Sequence, residues 1–378
     1  MQKIKIRCGF ELEKDQLCSV STSHFGQIAQ FSRSVLTPLQ FFPKLKPFML
    51  IMTTKGLYCP AGQFYIDPSR AVDHAVITHA HSDHARKGSK QYYCVDSGVS
   101  LLKSRIGKNI SVAEFAYGEV FEINGVPISF HPAGHILGSS QVRMELNGEV
   151  WVASGDYKRE KDPTCEPFET VTCDVFVTEA TFGTPSFTWN KSVDLGQEIL
   201  NWWNQNASRG FNSVIFAYSL GKTQRILGEL FPLTSKPIYC HSSATEINEC
   251  YRAHGVPMAP TRCLSRVEQD RVLTGELFIV PQSFMNSEQV DILGKKYLTA
   301  FASGWTAQRG GNFDHGFVMS DHADWNDLVQ TIVESKAKKV FVQHRGKGAL
   351  VKHLNTLGIA AFPDSDLFPE NPDQLSLF

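Results

Sequence analysis

The chain has 378 residues, 42% of them apolar and 20% charged, with a formal net charge of −1. That length accommodates two domains, the composition is that of an ordinary globular protein, and the near-zero charge excludes a global basic field, so any grip on nucleic acid has to be local. The nine cysteines are scattered without a C-x-x-C pair. That argues against a disulfide framework or a cysteine-ligated zinc and for reduced thiols in a cytoplasmic protein. No apolar run reaches the roughly 20 residues that a bilayer span needs, so no membrane partner is expected.

Residues 1–52 lack the charged-then-apolar order of a signal peptide and read as an N-terminal extension. From residue 53 short apolar runs alternate with Gly, Pro and Asp, the texture of strands and loops. Strands are predicted at 63–66, 75–78, 92–95, 128–131, 142–146, 150–154 and 175–178, and a helix at 96–102 with Asp96 as N-cap. After Phe182 the texture changes: a helix over 194–206, a strand over 214–218, a helix over 221–230, then a strand over 237–241 and a helix over 246–254. Such alternation predicts an α/β unit with a parallel sheet. Near Ala300 the first texture resumes, with strands at 298–302, 316–319 and 339–343.

The densest chemistry is in Thr78-His79-Ala80-His81-Ser82-Asp83-His84-Ala85, which follows a buried-strand pattern. Residues two apart on a strand share a face, so His79 and His81 at the strand end can grip one metal. Asp83 and His84 fall where the chain turns and can face a second. Imidazole and carboxylate suit Zn²⁺ and Mn²⁺. His135 in Gly134-His135-Ile136-Leu137-Gly138-Ser139, Asp156 in Ser154-Gly155-Asp156 and His344 each follow a predicted strand, so a single sheet edge can gather them.

This H-x-H-x-D-H, G-H-x-x-G-S and S-G-D series resembles the metallo-β-lactamase superfamily. The resemblance implies an α/β fold, an αββα sandwich with two divalent metal ions at the edge of its sheets. Thr178-Glu179-Ala180-Thr181-Phe182-Gly183, the Tyr218-Ser219-Leu220-Gly221-Lys222-Thr223-Gln224 run, Ser320-Asp321-His322-Ala323-Asp324 and Val342-Gln343-His344 are similar to the motifs of the β-CASP nucleases, which insert an α/β domain. The implied organisation is a first lactamase segment over 53–182, a β-CASP insertion over 183–302, a second lactamase segment over 303–362 and a tail over 363–378. Within that group, Gly56-Leu57-Tyr58-Cys59-Pro60-Ala61-Gly62, Ser154-Gly155-Asp156-Tyr157-Lys158, Ser303-Gly304-Trp305 and Asp324-Trp325 resemble the bacterial ligase-associated DNA exonucleases. One departure stands out: Arg345 occupies a position that the family usually fills with glycine.

The resemblance implies that His79, His81 and His135 hold one metal, that Asp83, His84 and His344 hold the other, and that Asp156 bridges them. On that resemblance, a pair of bound cations would supply a clamp on the phosphodiester and a lowered pKa for an attacking water. Asp83 or Glu179 orients that water or a ligand histidine, and His322 is the expected general acid. Lys158, Arg159 and Lys161, directly after the bridging aspartate, and Lys222 and Arg225 in the insertion are candidate phosphate contacts. Trp305 and Tyr218 offer stacking surfaces, although burial in the core is the commoner fate of such residues. Gln374, Leu375, Leu377 and Phe378 at the C-terminus resemble a motif that docks on the bacterial sliding clamp. Implied partners are DNA, that clamp, and an ATP-dependent ligase and helicase. The implied activity is metal-dependent DNA hydrolysis, with an RNA-processing β-CASP ribonuclease as the alternative. A small-ester hydrolase is disfavoured by the insertion and His322, and a non-catalytic scaffold by the complete ligand set.

Overall fold

The computed structural model describes residues 48–267, 273–307, 312–344 and 346–368. Arg345, most of the expected N-terminal extension and the clamp-like residues Gln374, Leu375, Leu377 and Phe378 lie outside the described residues. A first mixed sheet runs in chain order: β1 (Ile51–Thr53), β2 (Gly56–Cys59), β3 (Phe64–Ile66), β4 (His74–Val76), β5 (Gln91–Val95) and β6 (Val112–Phe115), with helix α1 (Val99–Ile106) between the last two. The chain then enters a second sheet with β7 (Val120–Ile123), β8 (Val126–Pro132), β9 (Ser140–Leu146), β10 (Glu149–Ala153) and β11 (Val175–Thr178).

An inserted unit follows: α2 (Leu195–Ser208), β12 (Asn212–Phe216), α3 (Lys222–Leu230), β13 (Ile238–Cys240), α4 (Thr245–Ala253), β14 (Thr261–Cys263), β15 (Leu277–Val280), β16 (Tyr297–Ser303) and β17 (His315–Val318). Its six strands form one sheet in the order β14-β13-β15-β12-β16-β17, with every neighbouring pair parallel. The chain returns through α5 (Trp325–Glu334), β18 (Lys339–Val342), α6 (Lys347–Thr356) and β19 (Ala360–Pro363), which complete the second sheet beside β11.

The layering follows from strand periodicity. Along β10, Trp151 and Ala153 share one face and Val152 takes the other; along β11, Val175 and Val177 oppose Phe176. The first set meets Leu57, Phe64, Ile66 and Val76 of the first sheet in a core between the sheets. The second set lies under Leu328 and Ile332 of α5 and Leu350 and Leu354 of α6. On the far side, Ala75, Tyr92 and Cys94 pack beneath Val99, Leu102 and Ile106 of α1. Helix, sheet, sheet and helix are thus the four expected layers. The inserted sheet buries Ile215, Leu277 and Ile279 against α2, α3 and α4, in a cluster that also takes in Leu101, Ile136 and Leu137 of the lactamase part. The insertion therefore packs directly on that part.

Three local expectations change. The strands at 298–302 and 316–319 do not return to the lactamase sheets: as β16 and β17 they extend the inserted sheet, past the boundary expected at residue 302. Their composition is that of any half-buried strand, and only pairing decides which sheet they join. Asp96 is not an N-cap but sits inside a 3-10 turn (Asp96–Gly98) that leads into α1. Finally, β4 ends at Val76, so His79 and His81 lie beyond the strand. Ladder pairing stops because the Thr78 N–H donates to the Asp67 side chain (2.8 Å) instead of a neighbouring strand.

Candidate metal centre and cleft

Strand direction gathers the candidate ligands. β10, β11 and β18 are adjacent and parallel, so Asp156, Glu179 and His344, which follow them, emerge at one edge. β8 is antiparallel to β9, and β9 to β10, so β8 runs with β10 and brings His135 to the same edge. The His79–His84 turn of the first sheet is tied there by the Ser140 N–H, which donates to the Thr78 carbonyl at 2.8 Å. His344 adopts a left-handed backbone (φ 69°), a strained conformation of the kind found at sites that hold a side chain in place.

Three imidazole nitrogens converge. His81 Nδ1 lies 3.1 Å from His79 Nε2 and 3.0 Å from His135 Nε2. Asp156 Oδ2 stands 3.6 Å from His79 Nε2, 3.9 Å from His135 Nε2 and 3.3 Å from His84 Nε2. The opposite ring nitrogens reveal the tautomers. His135 Nδ1 donates to the Asp321 carbonyl (2.6 Å) and His81 Nε2 to the Leu220 carbonyl (3.3 Å), since carbonyls only accept. Thr78 Oγ1 donates to Asp67 Oδ2, so it accepts from His79 Nδ1 (3.0 Å). All three converging nitrogens therefore carry bare lone pairs, with His81 Nδ1 about 3 Å from each of the other two. Such an arrangement is repulsive unless a cation sits among them, and the spacing matches the ligand edges of a metal with bonds of about 2.0–2.1 Å. Burial, reinforced by the neighbouring imidazoles, holds the pKa of His79 and His135 well below the usual histidine value, keeping them neutral. Asp156 Oδ1 is buried with no hydrogen-bond partner. The cluster thus fits a metal ion.

A second set flanks the first. The ligand atoms of Asp156, Glu179 and His344 all lie within 4.8 Å of one another. His84 Nδ1 donates to Asp67 Oδ2 (2.7 Å), leaving Nε2 to face Asp156, with Asp83 Oδ2 at 3.8 Å. Glu179 is fully engaged otherwise: it accepts from the Tyr157 N–H (2.7 Å), Thr181 Oγ1 (2.6 Å) and His322 Nδ1 (3.0 and 3.1 Å). Burial opposes charge on His322, but the Glu179 and Asp156 carboxylates outweigh it and push its pKa up to about 9. His322 does not cap α5; Asp324 does, accepting from the Asp327 N–H at 2.9 Å.

Sequence reasoning missed Asp67. It follows β3 as a lone aspartate, and nothing in its neighbours announces a role. Its two oxygens hold the Thr78 N–H, the Thr78 hydroxyl and the His84 ring, so it orients His84 directly and His79 through the threonine. Carboxylates and hydroxyls behind ligating histidines fix ring orientation and tautomer in this way.

The expected phosphate contacts need correction. Lys158 is 1% exposed and pairs with Asp162. Arg225 is 3% exposed and is held by Glu160, Asp162, Glu229 and the Ser320 carbonyl. Lys222 is buried against Asp321 at 2.6 Å. These side chains neutralise carboxylates where α3 meets the lactamase part and are not free for a nucleic-acid backbone; a sequence window shows the charges but not their partners. Arg159 is half-buried on Glu334 (2.8 Å) and Lys161 is exposed, both away from the residues lining the cleft beside the His/Asp cluster. That open cleft, about 810 Å³, lies between the lactamase part and the insertion and is lined by His81, Asp83, Asp156, His322 and His344. Tyr218 and Trp305 line it as well and are exposed, contrary to the expectation of core burial.

Among the described residues no helix is long and apolar enough to cross a membrane. No family model matches the chain. It is 25% identical over 314 residues to a probable DNA ligase of Opitutus terrae, a match covering 81% of this chain and 30% of that protein. It is 26% identical over 211 residues to the ribonuclease TTHA0252 of Thermus thermophilus, covering 47% of this chain and 48% of the relative. The chain thus spans less than half the length of these curated relatives. Among solved structures, a protein of unknown function from Enterococcus faecalis shares the fold, with a TM-score of 0.52 and 13% identity over 76% of this chain and 78% of that one. With a His/Asp cluster at the edge of facing sheets and a parallel-sheet insertion beside it, the chain is similar in fold and in candidate site to the metallo-β-lactamase/β-CASP nucleases.

Proposed function

We propose that the protein is a DNA nuclease, acting as an exonuclease in repair beside an ATP-dependent ligase. The observation that carries the DNA reading is the long match: four-fifths of this chain aligns within a protein described as a probable DNA ligase. His79, His81, His135 and Asp156 would hold one divalent cation, and Asp83, His84, His344 and Asp156 the other, zinc or manganese by donor type. When bound, such a pair supplies a clamp on phosphate oxygens and a lowered pKa for a coordinated water. The chain's own groups do the rest. Asp67, Thr78 and the carbonyls of Leu220 and Asp321 lock the ligand rings in the tautomers that leave their lone pairs free. Glu179 holds the His322 ring over the cleft, where a protonated imidazole is placed to give its proton to the departing oxygen. The proposal extends to a sliding-clamp contact through Gln374, Leu375, Leu377 and Phe378.

The alternative reading, an RNA-processing nuclease, is supported by the match to the Thermus ribonuclease. End-labelled single-stranded DNA and the matching RNA, incubated with Mn²⁺ or Zn²⁺ and either wild type or Asp156→Ala, separate the two. Cleavage of DNA alone, lost in the variant, is the expected outcome. Cleavage of RNA alone would replace the first reading with the second, and cleavage of neither would refute both.

A further inference from the structure

We propose that the cleft takes a single polynucleotide strand by its bases as well as its backbone, with Tyr218 and Trp305 as stacking faces and Arg105 as a phosphate contact. This rests on the nuclease reading above and names the form of substrate that the cleft selects. Among the described residues only five aromatic side chains are exposed: Phe48, Tyr218, Phe231, Trp305 and Phe368. Two of them, Tyr218 at 69% and Trp305 at 38% exposure, open on the cleft that holds the metal-ligating cluster. Large aromatic rings left in water forgo the burial that normally stabilises them, and a pair beside a reactive centre marks a surface meant to be covered.

Topology explains why both arrive there. Tyr218 follows β12 and Trp305 follows β16, two parallel neighbours at the centre of the inserted sheet. Chain order reverses across β12, since β13 and β14 extend one way and β16 and β17 the other. The crevice beyond the carboxyl ends of the strands at such a reversal is where open parallel sheets bind ligands. Here that crevice faces the carboxyl ends of the lactamase strands that carry Asp156 and His344.

The Trp305 ring is braced before any ligand binds. Trp305 packs on Phe182 and Phe187, with centroids 5.0 and 4.9 Å away. Tyr218 has the Lys222 ammonium 6.0 Å from its centroid. A fixed ring such as Trp305 loses little freedom on contact, so more of its stacking energy appears as affinity. The same lining also supplies charge. Arg105, from α1, lines the cleft, and its buried Nε has no hydrogen-bond partner. Lys222, the other lysine or arginine lining it among the described residues, is already neutralised by Asp321, and the His322 ring is held by Glu179. Among the described residues Arg105 is therefore the guanidinium on this lining available to a phosphate, and a planar fork suits that anion. Stacking faces read bases that have left a duplex, so the selected substrate is a single strand.

The test uses the full-length chain loaded with Mn²⁺ and fluorescein-labelled oligothymidylate with phosphorothioate links, read by anisotropy, beside the same strand made abasic. Wild type should bind the base-bearing strand more tightly, by roughly 5- to 150-fold for each stacked base. Tyr218→Ala should remove most of that preference, and Tyr218→Phe should restore it, because the phenyl face is retained. Arg105→Gln should keep the base preference but flatten the dependence of log affinity on log salt by about 0.7. Equal wild-type affinity for both strands, a preference surviving in Tyr218→Ala, or an unchanged salt slope in Arg105→Gln would overturn the proposal. Failure of wild type to cleave ordinary single strands would instead count against the nuclease reading, and the binding results would still decide this one.

Discussion

Replacing Asp67 by asparagine is expected to harm the metal centre more than removing the side chain altogether. In the native arrangement Oδ1 accepts from the Thr78 N–H (2.8 Å), while Oδ2 accepts from the Thr78 hydroxyl and from His84 Nδ1 (2.7 Å). An asparagine that keeps the backbone contact turns its NH₂ toward the other two. His84 Nδ1 then has to accept, which moves its proton to Nε2, the nitrogen facing Asp156. The Thr78 hydroxyl likewise turns its hydrogen toward His79 Nδ1, and His79 Nε2 gains a proton among the converging ligands. Flipping the amide spares both rings but sets a donor against the Thr78 N–H, at a cost of about 1–3 kcal/mol for a buried unsatisfied group. Loss of such a supporting group typically weakens metal affinity about 10–100-fold, or roughly 1.4–2.7 kcal/mol. Alanine leaves room for water to accept from both rings, so Asp67→Ala should sit between wild type and Asp67→Asn. Calorimetric titration of the metal-free proteins with Zn²⁺, alongside thermal melts, measures both quantities. An Asp67→Asn protein that binds zinc as tightly as wild type and melts at the same temperature would refute the tautomer argument.

Three further outcomes are expected. Asp162→Asn breaks a buried network with Lys158 and Arg225 and should cost about 3–5 kcal/mol in denaturant unfolding at neutral pH. Burial opposes ionisation of Asp162, but Lys158 and Arg225 outweigh it and depress its pKa. Its stabilisation is therefore complete above the unfolded carboxylate value of about 3.9 and is lost as pH falls through the folded value. The gap between wild type and variant should narrow below about pH 4, and a constant gap would contradict this. Gly138→Ala places a Cβ 2.3 Å from the Gly98 Cα at a φ of +72°; two backbones in contact cannot yield as a side chain would, so a marked drop in melting temperature is expected. His322→Ala should lower kcat by about 10²–10⁴-fold while metal content by mass spectrometry stays at the wild-type value, and loss of metal would instead make His322 a ligand-supporting group.

The sequence by itself carried most of the local structure and the identity of the chemical groups. Dense imidazoles and carboxylates after apolar runs announce a metal site because few other purposes gather those side chains. The period-two and period-3.6 patterns place β10, β11, α2 and α3 to within a few residues because each element buries one face. Three kinds of fact had to wait for the tertiary structure. Pairing assigned β16 and β17 to the inserted sheet, since a strand's own residues say that it is half-buried but not beside what. Long-range contact set the fate of charge: Lys158, Lys222 and Arg225 look like a phosphate-binding set until Asp162, Asp321 and Glu160 are found against them. Convergence of the ring nitrogens, and the part played by Asp67, emerged only with the chain folded, because a hydrogen-bond relay spanning β3, the His79–His84 turn and two distant carbonyls leaves no local pattern in the sequence.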